Sequence, residues 1–369
     1  MNRLTKTMRH ALRLIRGGNL AKATDAILHK LRQLSGCKEA RKDKPDENVS
    51  VVDRSEVLVD HPAPTRMPGV GGTFTKASYT GAAGSRRYKL FMPAGNCTTP
   101  LPLVVMLHGC TQTPDDFALG TGMNELAAAQ QCVVAYPEQA SSANGMKCWN
   151  WFKSSDQRRD RGEPAIIAGI TREVISACGL DANRVYVAGL SAGGAMAVIM
   201  GRTYPDLYAA VGVHSGIPYA AAHDAASAFA AMKGIAFQPR RKRSPIPQLI
   251  PTIVLHGDRD KTVHPSNGEK LAEQFSASDA STEAGLAPED GQTASDREQV
   301  SGGHAYTRTL LRNKNGKVVV EYWLVHGAGH AWFGGNPHGS YTDPKGPDAS
   351  KEVLRFFLEH ELAHKQNRA

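Results

Sequence analysis

Short, almost wholly apolar runs alternate with stretches of helical periodicity through the body of the chain. A run such as Leu103–Leu107 is apolar at every position, which is typical of a strand buried on both faces of a parallel sheet. Strands that alternate with helices predict the α/β class, a mainly parallel sheet with helices on both faces. The predicted strands are Arg87–Phe91, Leu103–Leu107, Cys132–Tyr136, Arg184–Ala188, Ala210–Val213, Thr252–Leu255 and Val318–Val325. The predicted helices are Met123–Gln130, 163–178, Ser191–Tyr204 and Lys351–His360.

Other stretches depart from this alternation and suggest how the chain is divided. Leu and Ile recur at helical spacing near the N-terminus, on either side of a Gly-Gly pair, which predicts a small helical hairpin. A charged stretch that becomes rich in Pro and Gly follows, as is typical of a linker. We therefore expect a basic helical hairpin (1–37), a linker (38–72) and one large α/β domain (73–369) with insertions near 220–248 and 276–303.

The net charge of +9 is concentrated in an N-terminal arm. Residues 1–44 hold 12 Lys and Arg against 3 Asp and Glu, so the rest of the chain is electrically balanced. A balanced body argues against a nucleic-acid partner, and the basic stretch PRRKR is too short and lacks aromatic residues for base stacking. The arm is either a solvated helical surface or a site for an anionic partner.

The cysteine spacing and the N-terminal segment bear on the compartment. The six cysteines form no C-x-x-C pair, which argues against zinc and thioredoxin-like sites but leaves a single disulfide open. Charges interrupt MNRLTKTMRHALRLIRGG, so we expect neither a signal peptide nor a transmembrane segment. The sequence predicts a soluble cytoplasmic protein, with an unusual export route left open.

A serine stands where a predicted strand ends and a predicted helix begins. The segment Gly189-Leu-Ser191-Ala-Gly193 matches the G-x-S-x-G pattern, whose small residues allow a sharp strand-to-helix turn. Such a turn exposes the hydroxyl and aims the helix N-terminus at the point where negative charge develops. The alternative is a serine that only caps the helix. We interpret Ser191 as a nucleophile.

A serine nucleophile needs a base, and the base needs an acid that orients it. Asp258 and Asp260 follow the predicted strand Thr252–Leu255, and we select Asp260 as the acid and leave Asp258 to shape the turn. His326 and His330 follow the last predicted strand, and we select His330 because it lies in a Gly-rich loop. The order serine, aspartate, histidine is the one expected on this kind of sheet.

Two backbone N–H groups are candidates for an oxyanion hole. One belongs to Ala192, directly after the proposed nucleophile, and the other to Cys110, in the loop after an early strand. Cys110 could itself be a nucleophile, but no ordered set of partners supports that alternative. The predicted chemistry needs neither a metal nor a cofactor.

Six motifs together resemble the poly(3-hydroxybutyrate) depolymerase family of esterases: LHGCTQT, YPEQ, CWNWF, GLSAGGAMA, HGDRDKTVHP and GAGHAWFGG. The resemblance covers roughly residues 75–362 and implies an α/β-hydrolase fold related to feruloyl and acetylxylan esterases. It also implies Ser191, Asp260 and His330 as the catalytic triad, with the Cys110 and Ala192 amides as the oxyanion hole. Unlike for the secreted depolymerases, we expect neither a Ser/Thr-rich linker nor a C-terminal polymer-binding domain. We therefore expect short oligomers, amorphous polymer or small esters as substrates.

Three tryptophans are candidates for substrate contact. Trp149 and Trp151 project to the same side if their segment is extended, and they form either an apolar wall or a core-packing corner. Trp332 lies two residues after His330 and is predicted to line the site. Cys110 could also approach Cys148, and the sequence leaves open whether they form a disulfide.

The sequence thus predicts a serine esterase for poly- or oligo-(3-hydroxybutyrate) or related short-chain esters. A feruloyl- or acetylxylan-type esterase and a peptidase on the same fold are the alternatives among enzymes. The alternative outside enzymes is a granule- or membrane-associated binding protein that acts through its basic arm.

Overall fold

The computed structural model describes residues 65–66, 71–95, 98–235, 250–276 and 293–362. The chain separates into two units, Met1–Asp60 and His61–Ala369. The first unit lies outside the described residues, and so does the predicted helical hairpin.

The described part of the second unit is built on an eleven-stranded sheet. Its strands are β1 (Thr65–Arg66), β2 (Gly72–Gly81), β3 (Gly84–Pro93), β4 (Leu103–Leu107), β5 (Val133–Pro137), β6 (Val185–Leu190), β7 (Ala210–His214), β8 (Thr252–Gly257), β9 (Thr293–Gln299), β10 (Ala305–Arg312) and β11 (Val318–Val325). They lie in the order β1-β2-β3-β5-β4-β6-β7-β8-β11-β10-β9. The six central strands, from β5 to β11 in that order, are parallel, and the strands at both edges are antiparallel.

Helices cover both faces of this sheet. They are α1 (Pro114–Thr121), α2 (Met123–Gln130), α3 (Gly162–Cys178), α4 (Ala192–Thr203), α5 (Ala225–Met232), α6 (Ser266–Ser276) and α7 (Ala349–Leu358), with a short 3₁₀ turn at Ser154–Gln157. Side chains of α3, α4, α5 and α6 pack into one apolar core, and those of α1, α2 and α7 pack into another. This arrangement confirms the predicted α/β class. None of the described helices is long and apolar enough to span a membrane.

The central strands explain why their sequences are continuously apolar. In β4, Val105 points into the first core and its neighbours Val104 and Met106 point into the second. Because successive side chains leave a strand on opposite faces, a strand between two cores must be apolar at every position.

The structure departs from the sequence predictions at the edges of the sheet. The edge strands β2, β9 and β10 were not predicted, and β9 occupies part of the stretch interpreted as an insertion near 276–303. The sequence of β9, TASDREQ, has no alternation of apolar and polar residues. Its extended conformation is instead held by pairing with β10. The predicted linker 38–72 contributes β1, which pairs with β2, and the insertion near 220–248 contains α5.

The parallel strands place four loops at one edge of the sheet. The loop that contains Cys110 follows β4, Ser191 follows β6, Asp260 follows β8, and His330 follows β11. Because the carboxyl ends of parallel strands meet at one edge, residues that are distant along the chain converge there. A short parallel pair, β12 (Trp332–Phe333) and β13 (Thr342–Asp343), lies just after the last of these loops.

Candidate active site

Ser191 occupies the turn between β6 and α4 in a strained conformation. Its φ of 58° and ψ of −116° lie outside the regions that most side chains adopt. Its backbone N–H donates to the carbonyl oxygen of His214 at 2.9 Å, which ties the turn to the end of β7. Its side chain makes no capping hydrogen bond to the helix. The alternative of a simple capping serine therefore does not describe this residue.

Two glycines allow the first turn of α4 to lie directly against the neighbouring strand. A Cβ on Gly193 would collide with the carbonyl oxygens of Leu107 and His108. A Cβ on Gly189 would collide with the backbone of Gly193. Glycine at these two positions therefore brings the Ser191 turn against the start of the Cys110 loop, as the G-x-S-x-G pattern predicted.

The carboxylate of Asp260 is buried and fully engaged. Its Oδ1 accepts the backbone N–H groups of Thr262 and Val263, both at 2.8 Å. Its Oδ2 lies 2.6 Å from Nδ1 of His330 and 3.4 Å from Nε2 of His256. Burial alone would raise the pKa of Asp260, but the hydrogen bonds from the two histidines bring it well below its usual range. Asp260 is therefore ionised, and Nδ1 of His330 carries the shared proton.

His330 presents one engaged ring nitrogen and one available ring nitrogen. Nδ1 is bound to Asp260, and Nε2 makes no hydrogen bond to another described residue. The bond to Asp260 orients the ring and leaves Nε2 as the nitrogen that can meet a ligand. This is the arrangement that a general base requires.

A second aspartate–histidine pair lies beside the first. His326 Nδ1 is 3.1 Å from Oδ2 of Asp258, and the hydroxyl of Thr307 donates to His326 Nε2 at 2.8 Å. Asp258 also accepts the backbone N–H of Gly327 at 2.7 Å. Both nitrogens of His326 are engaged, so this pair holds the loops together and leaves no base available.

Sequence reasoning missed His214, which connects the nucleophile turn to the loop of His330. The imidazole is buried, and its Nε2 accepts the backbone N–H of Phe333 at 3.2 Å, whereas its backbone oxygen accepts the N–H of Ser191. Its ring stacks on Trp332 with centroids 5.0 Å apart. Burial lowers the pKa of His214 well below its ordinary value, so the ring is neutral. The available signal was a histidine that closes the apolar run of β7.

A disulfide anchors the loop that carries the proposed oxyanion donor. Cys110 and Cys148 form a disulfide with their Cα atoms 4.2 Å apart, which answers the question that the sequence left open. Within the described part of the chain, neither the backbone N–H of Cys110 nor that of Ala192 donates to another residue. Both donors are available to a ligand, and the disulfide limits the movement of one of them.

All three tryptophans that were candidates for substrate contact lie in the core. Trp149 is fully buried and donates its indole N–H to the carbonyl oxygen of His108 at 3.1 Å. Trp332 is 1% exposed and donates to Ser350 Oγ at 2.9 Å. Trp149 thus forms the core-packing corner that the sequence left as one of two alternatives. Trp332, which was predicted to line the site, is buried in the core instead. Trp151 is 7% exposed and packs edge to face against its neighbour Phe152.

The described residues offer no group of three or more His, Cys, Asp or Glu side chains placed to hold a metal ion.

Comparison with known proteins connects these features to one family. The model of the family described as "Esterase PHB depolymerase" matches residues 86–301. Poly(3-hydroxyalkanoate) depolymerase C of Paucimonas lemoignei is 33% identical over 241 residues, which are 62% of this chain and 54% of the relative. Poly(3-hydroxybutyrate) depolymerase of Ralstonia pickettii is 29% identical over 294 residues, which are 74% of this chain and 57% of the relative. The chain thus spans little more than half the length of these two relatives.

Solved structures bear on the fold alone. The acetyl xylan esterase from Aspergillus awamori superposes with a TM-score of 0.57 at 21% identity, over 77% of this chain and 99% of that one. The match agrees with an α/β-hydrolase fold and says nothing about substrate.

Acidification from pH 7 to pH 5 is expected to destabilise the protein through His108, at the start of the Cys110 loop. Its Nε2 accepts the backbone N–H of Gln139, and burial lowers its pKa from 6.5 to about 4. The folded state therefore binds this proton more weakly than the unfolded state. The free energy of unfolding therefore keeps its full value above pH 6.5. It decreases by up to about 3 kcal/mol as the pH falls towards 4.

Thermal unfolding monitored by circular dichroism between pH 4 and pH 8 measures this effect. His108→Gln, which keeps an acceptor but does not titrate, should flatten the dependence of the midpoint on pH. The control His338→Gln, at an exposed histidine, should leave the dependence unchanged. A wild-type midpoint that is the same at pH 7 and pH 5 would contradict the assignment.

Proposed function

Since the chain belongs to the esterase PHB depolymerase family, we propose that it is a serine esterase that hydrolyses carboxylic esters. The proposed substrates are poly- or oligo-(3-hydroxybutyrate) and related short-chain esters. The observation that carries the proposal is a strained serine at a strand-to-helix turn, at the same sheet edge as a histidine hydrogen-bonded to a buried, ionised aspartate.

Catalysis begins when the hydroxyl of Ser191 attacks the ester carbonyl carbon. Nε2 of His330 takes the hydroxyl proton, and a tetrahedral intermediate forms with its negative charge on the former carbonyl oxygen. The backbone N–H groups of Cys110 and Ala192 stabilise this charge. The availability of both N–H groups within the described residues supports this role.

Collapse of the intermediate breaks the bond to the alcohol, which leaves with the proton from His330. An acyl group remains on Ser191, and water attacks it with His330 again acting as the base. The products are a carboxylic acid and an alcohol, and the serine is regenerated.

Asp260 acts through the histidine and does not touch the substrate. Its ionised carboxylate keeps the proton on Nδ1 of His330 and stabilises the imidazolium that forms in each step. Because the carboxylate is buried, solvent screens this attraction only weakly.

Two further predictions concern the basic N-terminal arm and the cellular location of the protein. Association of residues 1–44 with a polymer granule or a membrane surface stays a prediction, since these residues lie outside the described part of the chain. A cytoplasmic location also stays a prediction, and the Cys110–Cys148 disulfide weighs against it, because such bonds persist mainly in oxidising compartments.

Ser191→Ala is expected to lower the rate of p-nitrophenyl butyrate hydrolysis by at least about a thousandfold, since no other group replaces the nucleophile. The melting temperature should stay close to that of the wild type. Ser301→Ala, at an exposed serine, is the matched control and should retain full activity. Full activity in the Ser191→Ala protein would sink the assignment of the nucleophile.

Asp260→Asn is expected to reduce kcat by about a thousandfold or more, because the amide neither stabilises the imidazolium nor fixes its tautomer. The neighbouring pair supplies the control, since Asp258→Asn alters a carboxylate that contacts the fully engaged His326. That variant should stay within a few-fold of the wild type. Equal losses in the two variants would show that the choice between the pairs is wrong.

A substrate panel tests the proposed class of ester. We expect a higher kcat/KM for 3-hydroxybutyrate oligomers than for methyl ferulate or acetylated xylan, measured by release of acid at constant pH. A clear preference for either of the last two would favour the feruloyl or acetylxylan alternative over the proposed substrate.

A further inference from the structure

Tyr341 combines a strained backbone with an exposed side chain. Its φ of 53° lies in the left-handed region, which a tyrosine rarely adopts. Its side chain is nevertheless 47% exposed, one of the few large apolar side chains at the described surface. Strained residues persist where the surrounding structure holds them, and they concentrate at functional sites. The strained backbone and the exposed ring of Tyr341 therefore point to a functional role.

The backbone around Tyr341 is held from two sides. Its carbonyl oxygen accepts the N–H of Trp332 at 2.7 Å, next to the pairing of β12 with β13. The preceding residue, Ser340, donates its backbone N–H to Asp116 at 2.9 Å and accepts a bond from the Gln112 amide at 3.1 Å. Tyr341 is thus fixed between the Cys110 loop and the segment that carries His330.

The hydroxyl of Tyr341 reaches the loop of the proposed oxyanion donor. It lies 3.1 Å from Oγ1 of Thr111, which itself donates to the carbonyl oxygen of Cys110 at 2.5 Å. Since the threonine proton is used in that bond, Tyr341 is the donor to Thr111. Thr111 is also left-handed, with a φ of 68°. Two strained residues are therefore joined by their hydroxyl groups beside Cys110.

The ring of Tyr341 is about half exposed. Within the described residues no aromatic ring stacks on it and no cation lies over it. Its polar end is fixed beside Cys110, and its backbone is hydrogen-bonded to a residue two positions after His330. The ring of Tyr341 therefore offers apolar surface beside the Cys110 loop. Because its hydroxyl is already anchored, binding a ligand there does not cost the entropy of ordering a mobile side chain.

We propose that Tyr341 determines specificity by packing its ring against the hydrocarbon chain of the acyl group as the ester lies in the oxyanion hole. This inference rests on the proposed esterase function. The hydroxyl bond to Thr111 fixes the ring, and the ring supplies apolar contact that grows with the length of the acyl chain. A residue that only braced the loop would affect all esters equally.

The test measures kcat and KM for p-nitrophenyl acetate, butyrate and hexanoate with three variants. Tyr341→Ala removes the ring, Tyr341→Phe removes the hydroxyl alone, and Phe229→Ala removes another ring of similar exposure, 43%, from α5. For Tyr341→Ala we expect kcat/KM for hexanoate to fall about fivefold more than for acetate, through a rise in KM. Tyr341→Phe should keep the wild-type ratio of hexanoate to acetate, and Phe229→Ala should match the wild type.

The outcomes separate this inference from the proposed function. Equal losses for all three esters in Tyr341→Ala would overturn the inference, and so would identical behaviour of the Ala and Phe variants. A shift of the same size in Phe229→Ala would overturn it too, because any exposed ring would then suffice. In each of these cases the esterase proposal is tested separately. It is upheld if the wild type hydrolyses these esters and Ser191→Ala does not. An unchanged melting temperature in Tyr341→Ala shows that the variant is folded.

Discussion

The arrangement of the site depends on one buried negative charge, the carboxylate of Asp260. A carboxylate removed from water is costly unless its oxygens are hydrogen-bonded. Here two backbone N–H groups satisfy one oxygen, and His330 with His256 faces the other. These groups come from the loop after β8, from β8 itself and from the loop after β11. The buried charge therefore holds together the loops at the ends of two neighbouring strands. The orientation of the histidine is then a consequence of satisfying the carboxylate.

Backbone strain gathers at the same edge of the sheet. Thr111, Ser191 and Ser215 follow β4, β6 and β7, and all three have a positive φ although none is glycine. The parallel strands beneath them are continuous, fully buried and hydrogen-bonded on both sides, so the rigid part of the fold sustains conformations that an isolated loop would not keep. Gly189 and Gly193 contribute in a different way, since they remove the side chains that would hold α4 away from β4.

Much of this organisation can be read from the sequence where burial is complete. The central strands were predictable because a strand between two cores must be apolar throughout, and the convergence of Ser191, Asp260 and His330 at one edge follows from the parallel topology. The edge strand β9 was not predictable, since hydrogen bonds to β10 stabilise it and its side chains face solvent. Proximity to His330 along the chain likewise suggested a substrate contact for Trp332, but β12 turns that ring into the core against His214 and Phe117. Which face a side chain takes depends on packing between distant elements, and local patterns do not encode it.

The two aspartate–histidine pairs show what distinguishes a reactive arrangement from a structural one. They lie on the same two loops, and their aspartates are two residues apart, but Nδ1 lies 3.1 Å from the carboxylate in the His326 pair and 2.6 Å in the His330 pair. The difference is environmental, because the side chain of Asp260 is fully buried whereas that of Asp258 is 34% exposed. Water around Asp258 screens its charge, whereas the buried charge of Asp260 is screened only weakly by solvent. The second distinction is the far side of the ring, where Thr307 occupies Nε2 of His326 and Nε2 of His330 is open. Burial of the acid and an open Nε2, rather than the pairing itself, are therefore the features that favour His330 over His326 as the proposed base.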